Sequence, residues 1–241
     1  MIPINASKPN TLAIIPARGG SKGIPRKNIQ DVEGIPLLAY TIIAAQNASS
    51  VTTVLVNSED AEIRETAVQF GARTMSRPEE YFHDNTFQEV DRLLIWTVQE
   101  FEKSNEPVDI ILLCYPTSPL RDSKYIDATA RKVSEEGFDS ALTLVEDSSY
   151  LWKVNSDNTA SPQNYDPKKR GPRQKELWNQ WIENKAVYAM KRNLLMETGC
   201  RLGGKIGYVI MPEIDSIDVD TPTDLEIVRQ IMKLRKRTHK E

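Results

Sequence analysis

The chain has 241 residues, of which 39% are hydrophobic and 27% charged, with a formal net charge of -3. That length is enough for one substantial core, and the slightly acidic balance argues against a nucleic-acid-binding protein, which needs a basic surface. Two cysteines, Cys114 and Cys200, suit a reducing compartment and build neither a disulfide framework nor a zinc site. No apolar run nears the roughly 20 residues of a membrane span, and the polar first ten residues lack the apolar stretch of a signal peptide. A soluble cytoplasmic protein with no membrane partner is expected.

In chain order, Leu12 to Pro16 is an isoleucine-rich run that predicts a buried strand. It opens into Ala17-Arg18-Gly19-Gly20-Ser21-Lys22-Gly23, a loop by its glycines. Leu37 to Gln46 has helical apolar spacing and starts near Pro36. Thr52 to Val56 reads as a β-branched strand, and Asp60 to Phe70 as a helix stopped by Gly71. Thr86 to Lys103 is a long amphipathic helix, and Asp109 to Leu113 a second buried strand ending at Pro116-Thr117-Ser118-Pro119. Ser123 to Glu136 follows as a helix and Ser140 to Val145 as a strand. This alternation implies βαβ units, hence a mostly parallel sheet with helices on both faces, whose ligands bind beyond the carboxyl ends of the strands.

From Tyr150 to Arg173 prolines, asparagines and a basic cluster interrupt the pattern, and Trp178, Trp181 and Tyr188 then restore apolar character. This stretch, about 148–190, reads as an inserted arm within a single domain of residues 1–241, because so much aromatic surface requires a partner. The chain closes with a strand over Ile206 to Met211, an acidic turn and a helix over Thr223 to Lys236.

Two constellations carry chemistry. In the first, glycines at 19, 20 and 23 let backbone N–H groups approach an anion, while Arg18, Lys22 and Lys27 neutralise a triphosphate. Neither the G-x-x-x-x-G-K-[ST] nor the G-x-G-x-x-G spacing is present. A plain strand-to-helix loop with solvated cations is the bland alternative. The second is Ser216-Ile217-Asp218-Val219-Asp220-Thr221-Pro222, where Asp218 and Asp220 share a face if the segment is extended. Two hard oxygen donors suit Mg²⁺. The competing reading has Asp220 or Thr221 merely capping the last helix.

With Arg77-Pro78, Asp84 and Thr86, Pro116-Thr117-Ser118-Pro119-Leu120-Arg121, Arg173-Gln174 and Glu183-Asn184 added, the chain resembles the acylneuraminate cytidylyltransferases from Leu12 to the C-terminal helix. The resemblance implies a Rossmann-like sheet, a homodimer with an arm crossing between subunits, and transfer of CMP from CTP to the anomeric hydroxyl of an acidic keto sugar with Mg²⁺. It implies nucleotide contacts from Ala17, Arg18, Gly19, Ser21, Lys22, Lys27, Asn28, Arg77, Asp84 and Thr86. Acceptor contacts fall to Tyr115, Thr117, Ser118, Lys153, Arg173 and Gln174, and metal ligation to Asp218 and Asp220. Arg18 and Lys27 would stabilise departing pyrophosphate, with Asp220 or a metal-bound hydroxide as the candidate base. His83 and His239 leave little scope for histidine-based nucleophilic catalysis.

Two departures bear on the acceptor. Tyr115 stands where the family carries glutamine before Pro-Thr-Ser-Pro, and Asn184-Lys185 stands in place of Asn-Gly. A cytidylyltransferase for an eight-carbon acid sugar and a non-catalytic nucleotide-binding regulator are the rival readings. The Pro-Thr-Ser-Pro turn disfavours the first, and the intact aspartate pair the second.

Overall fold

A computed structural model of the chain describes residues 8–21, 23–81, 89–169 and 179–238. Its organising strand is β1 (Thr11–Pro16), whose Leu12, Ala13, Ile14 and Ile15 are all fully buried. Ala13 and Ile15 face one apolar cluster and Leu12 and Ile14 the other, as expected of a strand covered on both sides. Each buried aliphatic side chain there contributes roughly 2 kcal/mol, which fixes β1 at the sheet centre. The helices α1 (Leu37–Gln46), α2 (Ala61–Gln69) and α4 (Ser123–Ser134) supply the first cluster through Leu38, Ile42, Ile63 and Ile126. The second is closed by α3 (Glu89–Glu102) and α5 (Arg192–Thr198), through Leu94, Val98 and Leu195.

The sheet also contains β4 (Thr53–Ser58), β5 (Arg73–Ser76), β6 (Ile110–Cys114), β7 (Ser140–Glu146), β10 (Trp181–Lys191) and β11 (Ile206–Ile210). Two small hairpins, β2 (Asp31–Val32) with β3 (Ile35–Pro36) and β8 (Trp152–Val154) with β9 (Ala160–Pro162), lie outside it. The spatial order is β11-β7-β10-β6-β1-β4-β5. Within this seven-stranded sheet every pairing is parallel except those of β10, which runs antiparallel to both β6 and β7. Strands β4 and β6 flank β1 on opposite sides, so the order reverses there and leaves a crevice beyond the carboxyl ends of β1 and β6. The mostly parallel sheet with helices on both faces agrees with the sequence reading.

The inserted stretch divides differently from its sequence boundary of about 190. Residues Ala186 to Met190 of β10 are buried in the sheet, so the excursion, where described, ends before Trp181. A shift in pairing between Glu183 and Tyr188 divides the strand into a polar start and the apolar run Ala186 to Met190, so only the run reads as strand from the sequence. Strand β5 also escaped the sequence reading, since Arg73-Thr74-Met75-Ser76 carries no apolar run. Helix α6 (Pro222–Thr238) is capped by Thr221, whose hydroxyl accepts from the Asp224 N–H at 3.2 Å while Asp224 accepts from the Thr221 N–H at 2.7 Å. Capping is therefore the work of Thr221 and Asp224, and the Asp220 carboxylate is not used for it.

Candidate active site

Three segments meet in the crevice. The glycine loop leaves β1, the Tyr115 to Thr117 turn leaves β6, and the acidic turn precedes α6. Val219, fully buried between Asp218 and Asp220, joins them: its N–H donates to the Thr117 carbonyl at 2.8 Å and its carbonyl accepts from Lys27 Nζ at 2.7 Å. The cleft is about 430 Å³ in volume, the size of a small-ligand site. Arg18, Ser21, Lys27, Asn28, Arg77, Tyr115, Thr117, Asp218 and Asp220, all singled out from the sequence, line it.

The loop is held by close contacts that explain two of its glycines. A Cβ on Gly23 would run into the Asp220 backbone carbonyl, and one on Gly19 into the Asp60 side chain. Asp60 caps α2 by accepting from the Ile63 N–H at 3.1 Å, and it also pairs with Arg26, whose backbone is left-handed at φ 55°. The Gly19 N–H donates to Glu59 at 2.7 Å, so a carboxylate rests on an amide suited to an anion. Asn28 is buried and donates to the Arg18 carbonyl at 2.8 Å, closing the loop on itself.

Arg77 is buried rather than a surface or capping arginine. Its Nε donates to Asn57 Oδ1 at 3.1 Å and its Nη2 to the Asn57 carbonyl at 3.2 Å. Burial draws its guanidinium below the ordinary arginine range. Tyr115 lines the cleft with its hydroxyl accepting from Arg201 at 2.8 Å, and Arg201 pairs with Asp91 at 2.7 Å. The ring stacks edge-on against Tyr188, and burial raises the Tyr115 phenol.

Lys27 Nζ lies 3.1 Å from Asp220 Oδ1, while Lys185 Nζ lies 2.9 Å from Asp218 Oδ2 and 4.0 Å from Asp220 Oδ2. One ammonium thus meets both carboxylates, so they share a face. The Asp218 carboxylate holds Lys185 above the usual lysine range. Asp218 Oδ1 is buried with no hydrogen-bond partner among the described residues.

Other sequence-predicted positions fall elsewhere. Ala17 is fully buried, its N–H on the Asn57 carbonyl at 3.0 Å, and Ser118 is fully buried behind the turn. Neither lines the cleft, nor does Gly19, which is taken up by Glu59 and Asp60. Lys153 lies on the exposed β8–β9 hairpin, away from the cleft lining. Lys22, Asp84, Thr86, Arg173 and Gln174, with His83, Trp178 and His239, lie outside the described residues. Conversely, Tyr81, Glu89 and Lys185 line the cleft without having been assigned a role. Only Lys185 carried a signal, as the departure from Asn-Gly.

A family model described as cytidylyltransferase matches residues 12–200. The chain belongs to the cytidylyltransferase family. It is 32% identical over 221 residues to N-acylneuraminate cytidylyltransferase A of Danio rerio, covering 90% of this chain and 50% of that relative. The chain therefore spans about half the length of the zebrafish protein. It is 29% identical over 238 residues to the CMP-N,N'-diacetyllegionaminic acid synthase of Legionella pneumophila, covering 92% of this chain and 96% of that one. Among solved structures, a CMP:2-keto-3-deoxy-manno-octonic acid synthetase complexed with CTP superimposes with a TM-score of 0.68 at 18% identity, covering 94% of this chain and 99% of that one. That likeness confirms the fold.

The Asp60–Arg26 clamp has a pH signature. Arg26 holds the Asp60 carboxyl below the usual carboxylate range, so the unfolded chain takes up this proton first. The stabilisation is complete above about pH 5 and fades as the pH falls through roughly 4 towards the lower folded value. Asp60→Asn keeps the cap and removes the charge. Denaturation midpoints from pH 7 to 3 should show the wild-type advantage shrinking with acid. An advantage constant across that range would overturn the clamp.

Proposed function

We propose that this cytidylyltransferase transfers CMP from CTP to the anomeric hydroxyl of a nonulosonate, an acidic keto sugar such as N-acetylneuraminate or legionaminate, and releases pyrophosphate. The observation that carries this reading is the junction at Val219, which brings Lys27, just after the cationic glycine loop, against the Asp218/Asp220 pair in the lining of one cleft. Relatives named for N-acylneuraminate and diacetyllegionaminate chemistry support the acceptor class. Two free thiols and the absence, among the described residues, of a helix able to cross a membrane suit a cytoplasmic setting.

The aspartate pair fits Mg²⁺. Asp218 presents an unpartnered buried oxygen, and no third His, Cys, Asp or Glu joins the pair among the described residues. That donor set matches a metal completing its shell with water and phosphate oxygens. When bound, Mg²⁺ polarises the α-phosphate and neutralises developing charge. Arg18 and Lys27 hold the β- and γ-phosphates and stabilise the leaving pyrophosphate. Asp220, more exposed than Asp218, accepts the proton of the anomeric hydroxyl. A pyrophosphate-release assay with CTP, Mg²⁺ and a nonulosonate should show turnover. Asp218→Asn and Asp220→Asn should fold and lose on the order of 100-fold in kcat, comparable to deleting a preorganised charge-stabilising group. Full activity in both variants would remove the assignment, and CTP binding without turnover on any acid sugar would leave a binder.

The acceptor reading centres on Tyr115. Its hydroxyl is engaged by Arg201, so the residue presents a rigid phenol in place of an amide's donor and acceptor. An acceptor hydroxyl left unpaired there costs about 1–3 kcal/mol, hence about tenfold or more in selectivity. Deoxygenated nonulosonates such as legionaminate should outrank N-acetylneuraminate, and Tyr115→Gln should narrow the gap. The measurement is kcat/KM for N-acetylneuraminate, legionaminate, pseudaminate and 3-deoxy-octulosonate. A wild-type preference for N-acetylneuraminate that survives Tyr115→Gln unchanged would exclude Tyr115 as selector, and a preference for 3-deoxy-octulosonate would favour the eight-carbon reading.

The arm supports a homodimer. Leu151, Trp152 and Val154 at the β8–β9 hairpin and Ile182 at the start of β10 are exposed, apolar surface that calls for a partner. Sedimentation at micromolar concentration should give a dimer mass, and a fully active monomer would rule out a site shared between subunits.

A further inference from the structure

Lys185 stands out in the cleft wall. Its backbone is left-handed at φ 60°, a conformation that favours glycine, at the point where the β10 pairing register shifts. Its position is fixed by its neighbour. Asn184 is buried, accepts from Thr143 Oγ1 at 2.6 Å and from the Ala186 N–H at 3.2 Å, and donates to Ser216 Oγ at 2.9 Å. The bulge in β10 is thereby tied to the segment that carries Asp218. The consequence is an ammonium 2.9 Å from Asp218 Oδ2 and 4.0 Å from Asp220 Oδ2. Lys27 approaches Asp220 from the other side, through Oδ1 at 3.1 Å.

A divalent cation bridging the two carboxylates would meet a like charge within that distance. We propose that Lys185 is a built-in competitor for the Asp218/Asp220 metal site: its ammonium occupies the space between the two carboxylates, and a divalent cation enters only by expelling it. This rests on the reading of the two aspartates as metal ligands. Lys185 then sets how much free metal the protein requires, and Lys27 matters less because it is anchored on the Val219 carbonyl and meets only one carboxylate.

The test is Mn²⁺ binding to the full-length chain without nucleotide, followed by electron paramagnetic resonance. Lys185→Gly removes both the charge and the left-handed strain, Lys185→Ala removes the charge alone, and Lys185→Arg keeps the charge. The Gly and Ala variants should bind Mn²⁺ on the order of fivefold more tightly than wild type, the upper end of what a solvent-exposed ion pair contributes. The Arg variant should stay near wild type. Circular dichroism checks that each variant folds, and two neutral substitutions guard against the loss of one. Wild-type affinity in both neutral variants, or tightening in Lys185→Gly alone, would overturn the proposal. The Asp218→Asn/Asp220→Asn double variant separates the two levels of the argument. Loss of the tight Mn²⁺ site there, with no effect of Lys185, refutes the competitor alone, whereas unchanged Mn²⁺ binding there refutes the metal reading and the competitor with it.

Discussion

Val219 contributes one small side chain and two backbone groups, yet the cleft depends on where it sits. Its side chain packs with Ile24, Leu37, Leu120 and Leu225, and burying a valine contributes roughly 1.5–3 kcal/mol. Its two hydrogen bonds, to Thr117 and from Lys27, add about 1 kcal/mol each. Burial therefore holds the segment in place, and the bonds decide its register. Because the residue between the aspartates points into the core, those on either side point out of it, both into the crevice where the strand order reverses. The shared face of the two aspartates is a by-product of packing the one apolar residue between them.

The same logic explains which parts of the site were legible in the sequence. The first strand and its glycine loop are local statements: an apolar run needs no long-range information to be buried, and clustered glycines with cations mark an anion-binding turn. The aspartate pair was legible for the same reason, since period-two geometry is written into three consecutive residues. The competing capping role was resolvable only in three dimensions, where Thr221 and Asp224 form the cap between themselves. Whether a residue faces ligand or core was less legible. Ala17 and Ser118 sit inside motifs that suggest contact, but both are fully buried. A motif of consecutive residues at a strand end must send alternate side chains inward.

The central position of β10 was hidden for a physical reason. A strand buried on both faces should read as an unbroken apolar run, and Ala186 to Met190 does. The stretch before it, Glu183-Asn184-Lys185, is polar because the buried Asn184 ties the register shift to Ser216 and Lys185 turns into the cleft lining. Function therefore erased the local signature of structure at the point where the strand becomes part of the site. The Arg201 contact to Tyr115 is of a different kind: the two residues are far apart in sequence, and nothing near either predicts the other.

The cleft gathers charges of both signs and balances them against one another. Its lining holds the cations Arg18, Lys27, Arg77 and Lys185 with the carboxylates Glu89, Asp218 and Asp220. Lys27 is held by Asp220, Lys185 by Asp218, and Arg77 by Asn57, while Glu59 rests on the Gly19 amide. Unpaired, several like charges in a half-enclosed cavity would repel one another and oppose folding. Paired internally, they are already oriented, so a ligand exchanges one set of partners for another with little ordering of side chains. Preorganisation of this kind reduces the entropic cost of binding and places charge where it is needed before the reaction begins. It also means that affinity for any charged ligand is a difference between two nearly balanced states. In such a site, single residues that shift the balance without touching the reacting atoms have large effects. The sequence departures of this chain fall at two positions of that kind, Tyr115 and Lys185, both on the wall of the cleft and neither in the glycine loop or the acidic turn.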